Sequence, residues 1–166
     1  METSFNLNSI KKLYENSSIT PIDLINDCYG RIEKESQNAI WISLRDKIEA
    51  IKIAEFVSSS PRKNKPLWGI PFSVKDNIDV AGLTTTAACP KYSYLPKESA
   101  PIVKALEDAG AICLGKTNLD QFATGLNGTR SPYGACSSAF NIEYVSGGSS
   151  SGSALSVAKK QVCFSL

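Results

Sequence analysis

Two short stretches of the sequence carry the residue types that acid–base and nucleophilic chemistry would need. The first, residues 146–154, reads Ser-Gly-Gly-Ser-Ser-Ser-Gly-Ser-Ala and opens onto an apolar helical run. Glycine permits backbone conformations closed to other residues, so a serine in such a turn can be aimed at one point in space. The second is Lys75, which follows the apolar run 69–74 and precedes Asp76 and Asn77. These two stretches are the candidate sites.

The serine–glycine stretch has three interpretations. A flexible linker is disfavoured, because the stretch is short and its flanks are apolar rather than polar and repetitive. An anion-binding turn at a helix N-terminus would present backbone N–H groups to a carboxylate or phosphate. A catalytic serine loop is the third interpretation, and the residues alone do not separate it from the second.

The absence of histidine restricts the chemistry available to the chain. With no histidine among the 166 residues, neither a Ser-His-Asp triad nor a histidine-ligated metal site can be built. A neutral lysine is one of the few remaining groups able to activate a serine. Because a free lysine titrates near ~10.4, Lys75 would need its pKa lowered by burial, for which Ile70, Phe72 and Val74 are the expected neighbours. The opposing interpretation is a strand-end lysine that reaches solvent.

Composition narrows the function classes further. A chain of 166 residues allows one domain or part of a larger one, and its 42% hydrophobic residues suffice for a core. The net charge of +2 and a lone basic cluster at residues 62–65, read as a loop, argue against a nucleic-acid partner. Five scattered cysteines without C-x-x-C spacing favour a reducing compartment over disulfides or zinc. Without a signal peptide or an apolar run near ~18 residues, the expected location is the cytosol, away from membranes.

Residues 110–117 match the phosphate-binding pattern G-x-x-x-x-G-K-[ST]. In that motif the residues between the glycines form a loop that presents N–H groups to phosphates. Here a predicted helix precedes Gly110, and the intervening residues are apolar and strand-like. A buried strand ending in a turn is the better interpretation, and magnesium-dependent ATP binding through Lys116 is retained only as a testable alternative.

Helix and strand signals alternate along the chain, which indicates an α/β domain. Helices are predicted at residues 7–17, 21–32, 46–57 and 100–108, and strands at 39–44, 67–74, 111–114 and 161–166. Thr20 should cap the second helix, with Pro21 in its first turn. Ser99 is expected to cap the helix from residue 100, and Thr117 a short helix that follows. Pro71 suggests an edge strand or a bulge. Because the last strand ends with the sequence, we expect the chain to be incomplete.

Three ordered segments resemble the amidase signature family: residues 69–77 around Lys75, residues 115–118, and the serine–glycine stretch 146–154. The resemblance extends from about residue 19 to residue 166. It implies the amidase-signature α/β fold, a mixed central sheet flanked by helices, present here as its N-terminal portion. Residues 1–166 would be a partial amidase domain, with N-terminal helices at about 7–57 and the lysine-to-serine region at 67–160.

The same resemblance implies a Ser–Ser–Lys triad. Lys75 matches the base, and Ser149 matches the bridging serine, which in the family follows a cis peptide bond. The family's nucleophilic serine and its oxyanion-hole turn belong to a later glycine-rich segment that the chain lacks, and Ser165 does not substitute for that serine. The chain by itself is therefore expected to be inactive.

Within the family, residues 84–90, 118–125 and 128–134 look most like allophanate hydrolases. That similarity implies hydrolysis of a small urea-derived amide to ammonia and carbon dioxide, without metal or organic cofactor. Arg130 would meet the substrate carboxylate or else brace its own loop, and Gly125 would line the pocket. Two other interpretations are an A-type amidotransferase component, with partner subunits and a charged tRNA, and a non-catalytic truncated homologue. A homodimer of the full-length form is left open.

Overall fold

The computed structural model describes residues 5–35 and 38–166. In these residues the α-helices, numbered in chain order, are α1 (Leu7–Glu15), α2 (Pro21–Lys34), α3 (Lys47–Ser59), α4 (Pro101–Asp108) and α5 (Ser151–Ala158). The strands are β1 (Trp41–Leu44), β2 (Pro71–Lys75), β3 (Ile112–Thr117) and β4 (Phe164–Ser165). Short 3₁₀ turns occur at Pro90–Tyr92 and Gln121–Ala123. Each predicted helix and strand is present, with its ends shifted, and the last strand has only two residues.

Local capping chemistry explains where α2 and α3 begin. The Thr20 hydroxyl accepts a hydrogen bond from the Asp23 N–H, while the Asp23 carboxylate accepts one from the Thr20 N–H. This reciprocal capping box, followed by Pro21, confirms the predicted helix start. At α3 the Asp46 carboxylate accepts hydrogen bonds from the N–H groups of Ile48 and Glu49.

The four strands of the described residues form one mixed sheet in the order β1-β3-β2-β4. Strand β2 runs parallel to β3 and β4, whereas β1 runs antiparallel to β3. The predicted mixed α/β sheet is therefore confirmed. Pro71 is the first residue of an interior strand, so its assignment to an edge strand was wrong. A register shift of the kind expected there does occur, between Phe72 and Val74.

Alternation along the strands divides the core into two clusters. On β3, Ile112 and Leu114 pack with α1, α2 and α3, whereas Cys113 belongs to the cluster that contains Val103 of α4. Successive side chains of a strand point to opposite faces, so the sheet carries apolar packing on both sides. Among the described residues, no helix has the length and apolar character needed to cross a membrane.

Two predicted helix caps were wrong. The Ser99 hydroxyl accepts a hydrogen bond from the Ala81 N–H instead, and α4 begins after Ala100 without a side-chain cap. Thr117 is the last residue of β3, and its hydroxyl is hydrogen-bonded to that of Ser153. In both cases a partner distant in the sequence holds the hydroxyl that a local rule would assign to the nearest helix.

Candidate active site

The structure brings Lys75 and the serine–glycine stretch into direct contact. The Nζ atom of Lys75 lies 2.8 Å from the Oγ atom of Ser149 and 2.9 Å from that of Ser150. Lys75 ends strand β2, and the Gly148–Ser149 peptide bond is cis. Two residues selected from the sequence, 74 positions apart, are thus within hydrogen-bonding distance of each other.

Helix α5 fixes the far side of the serine loop through hydroxyl groups. The Ser156 hydroxyl lies 2.9 Å from that of Ser73 on β2, and the Ser153 hydroxyl lies 2.8 Å from that of Thr117 on β3. All four side chains are buried. We call this set the hydroxyl ladder. It explains several small polar residues after Ser149 that sequence reasoning treated only as part of a catalytic signature.

Gly152 has a packing role in the same helix. A Cβ atom at this position would lie 2.3 Å from the Ile40 carbonyl oxygen and 2.5 Å from the Asn118 nitrogen. Real Cβ atoms do not approach backbone atoms this closely, so α5 can lie against these two segments only with glycine here. The glycine–serine composition therefore serves helix docking as well as the turn that carries Ser149.

Burial lowers the pKa of Lys75, and the negative charge of Asp120 opposes that effect. Desolvation disfavours the charged form of an amine, so the neutral form becomes more accessible. The neighbours of the Lys75 ammonium are hydroxyls that can donate as well as accept a proton. This environment is the one that a lysine base requires.

Asp120 is a functional candidate that sequence reasoning missed. Its buried carboxylate accepts hydrogen bonds from the N–H of Gly128 at 3.0 Å and from the N–H of Arg130 at 2.8 Å. Burial alone would raise the pKa of this carboxyl, but backbone N–H donors from Arg130, Gly128 and Thr129 hold it below its usual value. The signal available in the sequence was an acidic residue closely followed by two glycines.

A second missed feature is the buried ion pair between Lys116 and Asp76. The Lys116 Nζ atom lies 3.1 Å from Asp76 Oδ1 and 2.9 Å from the Thr85 hydroxyl, and both charged side chains have no exposed surface. Asp76 also accepts a hydrogen bond from the Thr86 N–H. The lysine of the phosphate-loop pattern therefore lies inside the protein, and the segment before it is strand β3, which agrees with the rejection of that pattern.

Gly125 and Arg130 lie together in a loop beside the serine loop. They line a cavity of about 280 Å³ with Asp120, Leu126 and Asn127. The Arg130 guanidinium is exposed and donates a hydrogen bond to the Thr124 carbonyl at 3.1 Å, a contact that braces the loop. A Cβ atom at Gly125 would lie 2.4 Å from Asp120 Cγ, so this glycine makes room for a carboxylate of the protein. Lys75 and Ser149 are not among the residues that line this cavity.

Ser165 lies in strand β4 with its hydroxyl turned to the neighbouring strand. The Ser73 hydroxyl donates to Ser165 Oγ at 2.7 Å, and Ser165 pairs with Ser73 in the parallel register. Its hydroxyl is thus hydrogen-bonded within the sheet, as the sequence interpretation of a strand position required.

Comparison with known proteins places these features in a family. The Amidase family model matches residues 23–166. Urea amidolyase of Saccharomyces cerevisiae is 47% identical over 154 residues, which cover 92% of this chain and 8% of that protein. The A-type component of the glutamyl-tRNA(Gln) amidotransferase of Lactobacillus acidophilus is 38% identical over 163 residues, covering 97% of this chain and 33% of that protein.

Solved structures agree with the sequence matches. Allophanate hydrolase of Kluyveromyces lactis superposes with a TM-score of 0.82 at 43% identity, covering 95% of this chain and 26% of that chain. The chain thus spans a third or less of each of these three relatives. Since the family model extends over most of its length, the chain belongs to the amidase family.

Proposed function

We propose that this chain supplies the lysine base and the bridging serine of a Ser–Ser–Lys amidase that hydrolyses allophanate to ammonia and carbon dioxide. The observation that carries the proposal is the 2.8 Å contact between Lys75 Nζ and Ser149 Oγ. A hydroxyl in that position can pass a proton between an amine on one side and a second hydroxyl on the other.

The proposed mechanism begins with neutral Lys75. Lys75 accepts the proton of the Ser149 hydroxyl while Ser149 accepts that of the nucleophilic serine, whose oxygen attacks the amide carbonyl. The proton then returns through Ser149 to the leaving nitrogen, which departs as ammonia. We place the nucleophile outside residues 1–166, since Ser165 is held in the sheet and Ser150 contacts the lysine itself.

Two observations support allophanate as the substrate. The Kluyveromyces lactis relative is named an allophanate hydrolase, and the Saccharomyces cerevisiae relative is named a urea amidolyase. In addition, Arg130 stands exposed at a cavity beside the serine loop. A planar guanidinium suits a carboxylate, and we propose that it binds the carboxylate of allophanate, with Gly125 lining the same pocket.

The test is a chimera in which this chain replaces the matching segment of the Kluyveromyces lactis enzyme. We expect the chimera to release ammonia from allophanate, and the 166-residue chain alone to release none. Ser149→Ala should abolish release, while Ser138→Ala, which changes a serine elsewhere in the 125–145 loop region, serves as the matched control. Full activity in the Ser149→Ala chimera would contradict the proposed relay.

A second candidate function is that of an A-type amidotransferase component. The observation in its favour is the 38% identity to the Lactobacillus acidophilus protein over 97% of this chain. In that case the protein would need partner subunits and a charged tRNA. Glutaminase activity of the chimera without action on allophanate would favour this candidate over the first.

Further properties of the protein belong to the same proposal. We place residues 1–166 within one amidase domain, and we place the protein in the cytosol. The five cysteines are free, which supports a reducing compartment. A small amide is the proposed substrate and no cofactor is invoked. The homodimer of the full-length form stays a prediction, which light scattering of the full-length protein would check.

A further inference from the structure

We infer that Asp120 is a positioning residue that holds Ser149 against Lys75 and joins this pair to the loop that carries Arg130. The inference rests on the proposed function, because it assigns Asp120 a role toward the proposed base and relay. Asp120 lies just after β3, immediately before the turn Gln121–Ala123, and is fully buried.

Hydrogen bonds from Asp120 reach both loops. The Asp120 N–H donates to the Ser149 carbonyl at 3.1 Å, so the main chain at this position holds the relay residue directly. The carboxylate holds the other loop through the N–H groups of Gly128 and Arg130. Both carboxylate oxygens are therefore used by backbone donors, and one residue fixes two segments of the site.

The space around the carboxylate has been cleared by glycines from both loops. A Cβ atom at Gly148 would lie 2.3 Å from Asp120 Oδ2, and one at Gly125 would lie 2.4 Å from Asp120 Cγ. Gly148 immediately precedes Ser149, and its N–H donates to the Leu126 carbonyl at 2.8 Å. The two loops thus close around Asp120 with no room for a larger group.

The charge of Asp120 also acts on Lys75. Among the described residues, Asp120 is the ionised group whose field opposes the effect of burial on the Lys75 amine. The carboxylate of the adjacent Asp76 is paired with Lys116, and Arg130 acts on Asp120 itself. Loss of the Asp120 charge should make Lys75 easier to deprotonate, whereas mere loosening of the loop would hydrate Lys75 and make it harder.

The test measures acetylation of Lys75 by acetic anhydride as a function of pH, read by peptide mass spectrometry on the 166-residue chain. In Asp120→Asn we expect Lys75 to be acetylated about threefold faster at pH 8 than in the unchanged chain, because more of the amine is neutral. Asp108→Asn, which removes an exposed acid of α4 paired with Lys104, is the matched control and should leave the rate unchanged. An unchanged or slower rate in Asp120→Asn would overturn the inference.

A measurement on the unchanged chain keeps the inference testable if the variant does not fold. Backbone N–H resonances of Gly128, Arg130 and Ser149 should shift together with one midpoint as the Asp120 carboxylate is protonated. A Ser149 resonance that does not respond would overturn the inference. If Lys75 in the unchanged chain titrates as an ordinary exposed lysine, the proposed function itself fails. A depressed Lys75 that ignores Asp120→Asn removes only the positioning role.

Discussion

Lys75 and Lys116 stand on adjacent parallel strands and have opposite surroundings. Lys116 pairs in register with Val74, the residue before Lys75. Its ammonium is fully buried against the Asp76 carboxylate, whereas the Lys75 ammonium faces the hydroxyls of Ser149 and Ser150. An adjacent carboxylate favours a protonated amine, while burial without one favours the neutral form. The comparison indicates that one lysine supports the fold and the other is available for proton transfer.

Replacing Lys75 should have the largest effect on activity and a small effect on folding. In the allophanate hydrolase chimera, Lys75→Met should lower kcat/KM by about a thousandfold, since a general base typically contributes on that scale. Its melting temperature should not fall, because the variant removes a desolvated amine. Lys104→Met, at an exposed pair on α4, is the control and should retain activity. A Lys75→Met chimera with near-normal turnover would remove the distinction between the two lysines.

Replacing Lys116 should affect stability most. Lys116→Met leaves the Asp76 carboxylate buried without its partner, which typically costs about 3–5 kcal/mol of unfolding free energy. Urea unfolding of the 166-residue chain measures this loss. The double variant Lys116→Met with Asp76→Leu removes both charges and should regain most of it. A single variant as stable as the unchanged chain would show that the pair is not structural.

The smallest expected effect concerns pH. Because burial lowers the pKa of Lys75 in the folded chain, the folded state binds fewer protons than the unfolded state between the two pKa values. The destabilisation from Lys75 is therefore complete below the folded-state pKa. It disappears as pH rises toward the ordinary lysine value near ~10.4. Unfolding free energy should rise more steeply with pH over this window in the unchanged chain than in Lys75→Met. Identical slopes would place Lys75 with ordinary surface lysines.

Features that depend on neighbouring residues were predictable from the sequence. Thr20, Pro21 and Asp23 are adjacent enough that their capping geometry follows from residue type alone. The alternation of helices and strands indicated the correct class, and the mixed character of the sheet came from the family resemblance. The same resemblance selected Lys75 and Ser149, which the structure places in contact.

Features that depend on distant partners were not predictable. The Lys116–Asp76 pair joins residues 40 positions apart, and no local rule connects a strand lysine to that acid. Ser99 and Thr117 have the residue types of helix caps, yet their hydroxyls bind Ala81 and Ser153. Asp120 escaped notice because its role depends on how two loops fold back upon it. Local propensity cannot anticipate such competition from tertiary contacts.

The hydroxyl ladder between α5 and the sheet has a mechanical consequence. Apolar side chains pack without strict direction, so a helix held by them can roll or slide slightly at little cost. The Ser73–Ser156 and Thr117–Ser153 hydrogen bonds depend on angle as well as distance, and they hold α5 at two points along its length. Rotation of the helix would break both. The ladder therefore acts as a rigid mount, and the stiffness of the sheet determines how far Ser149 can drift from Lys75.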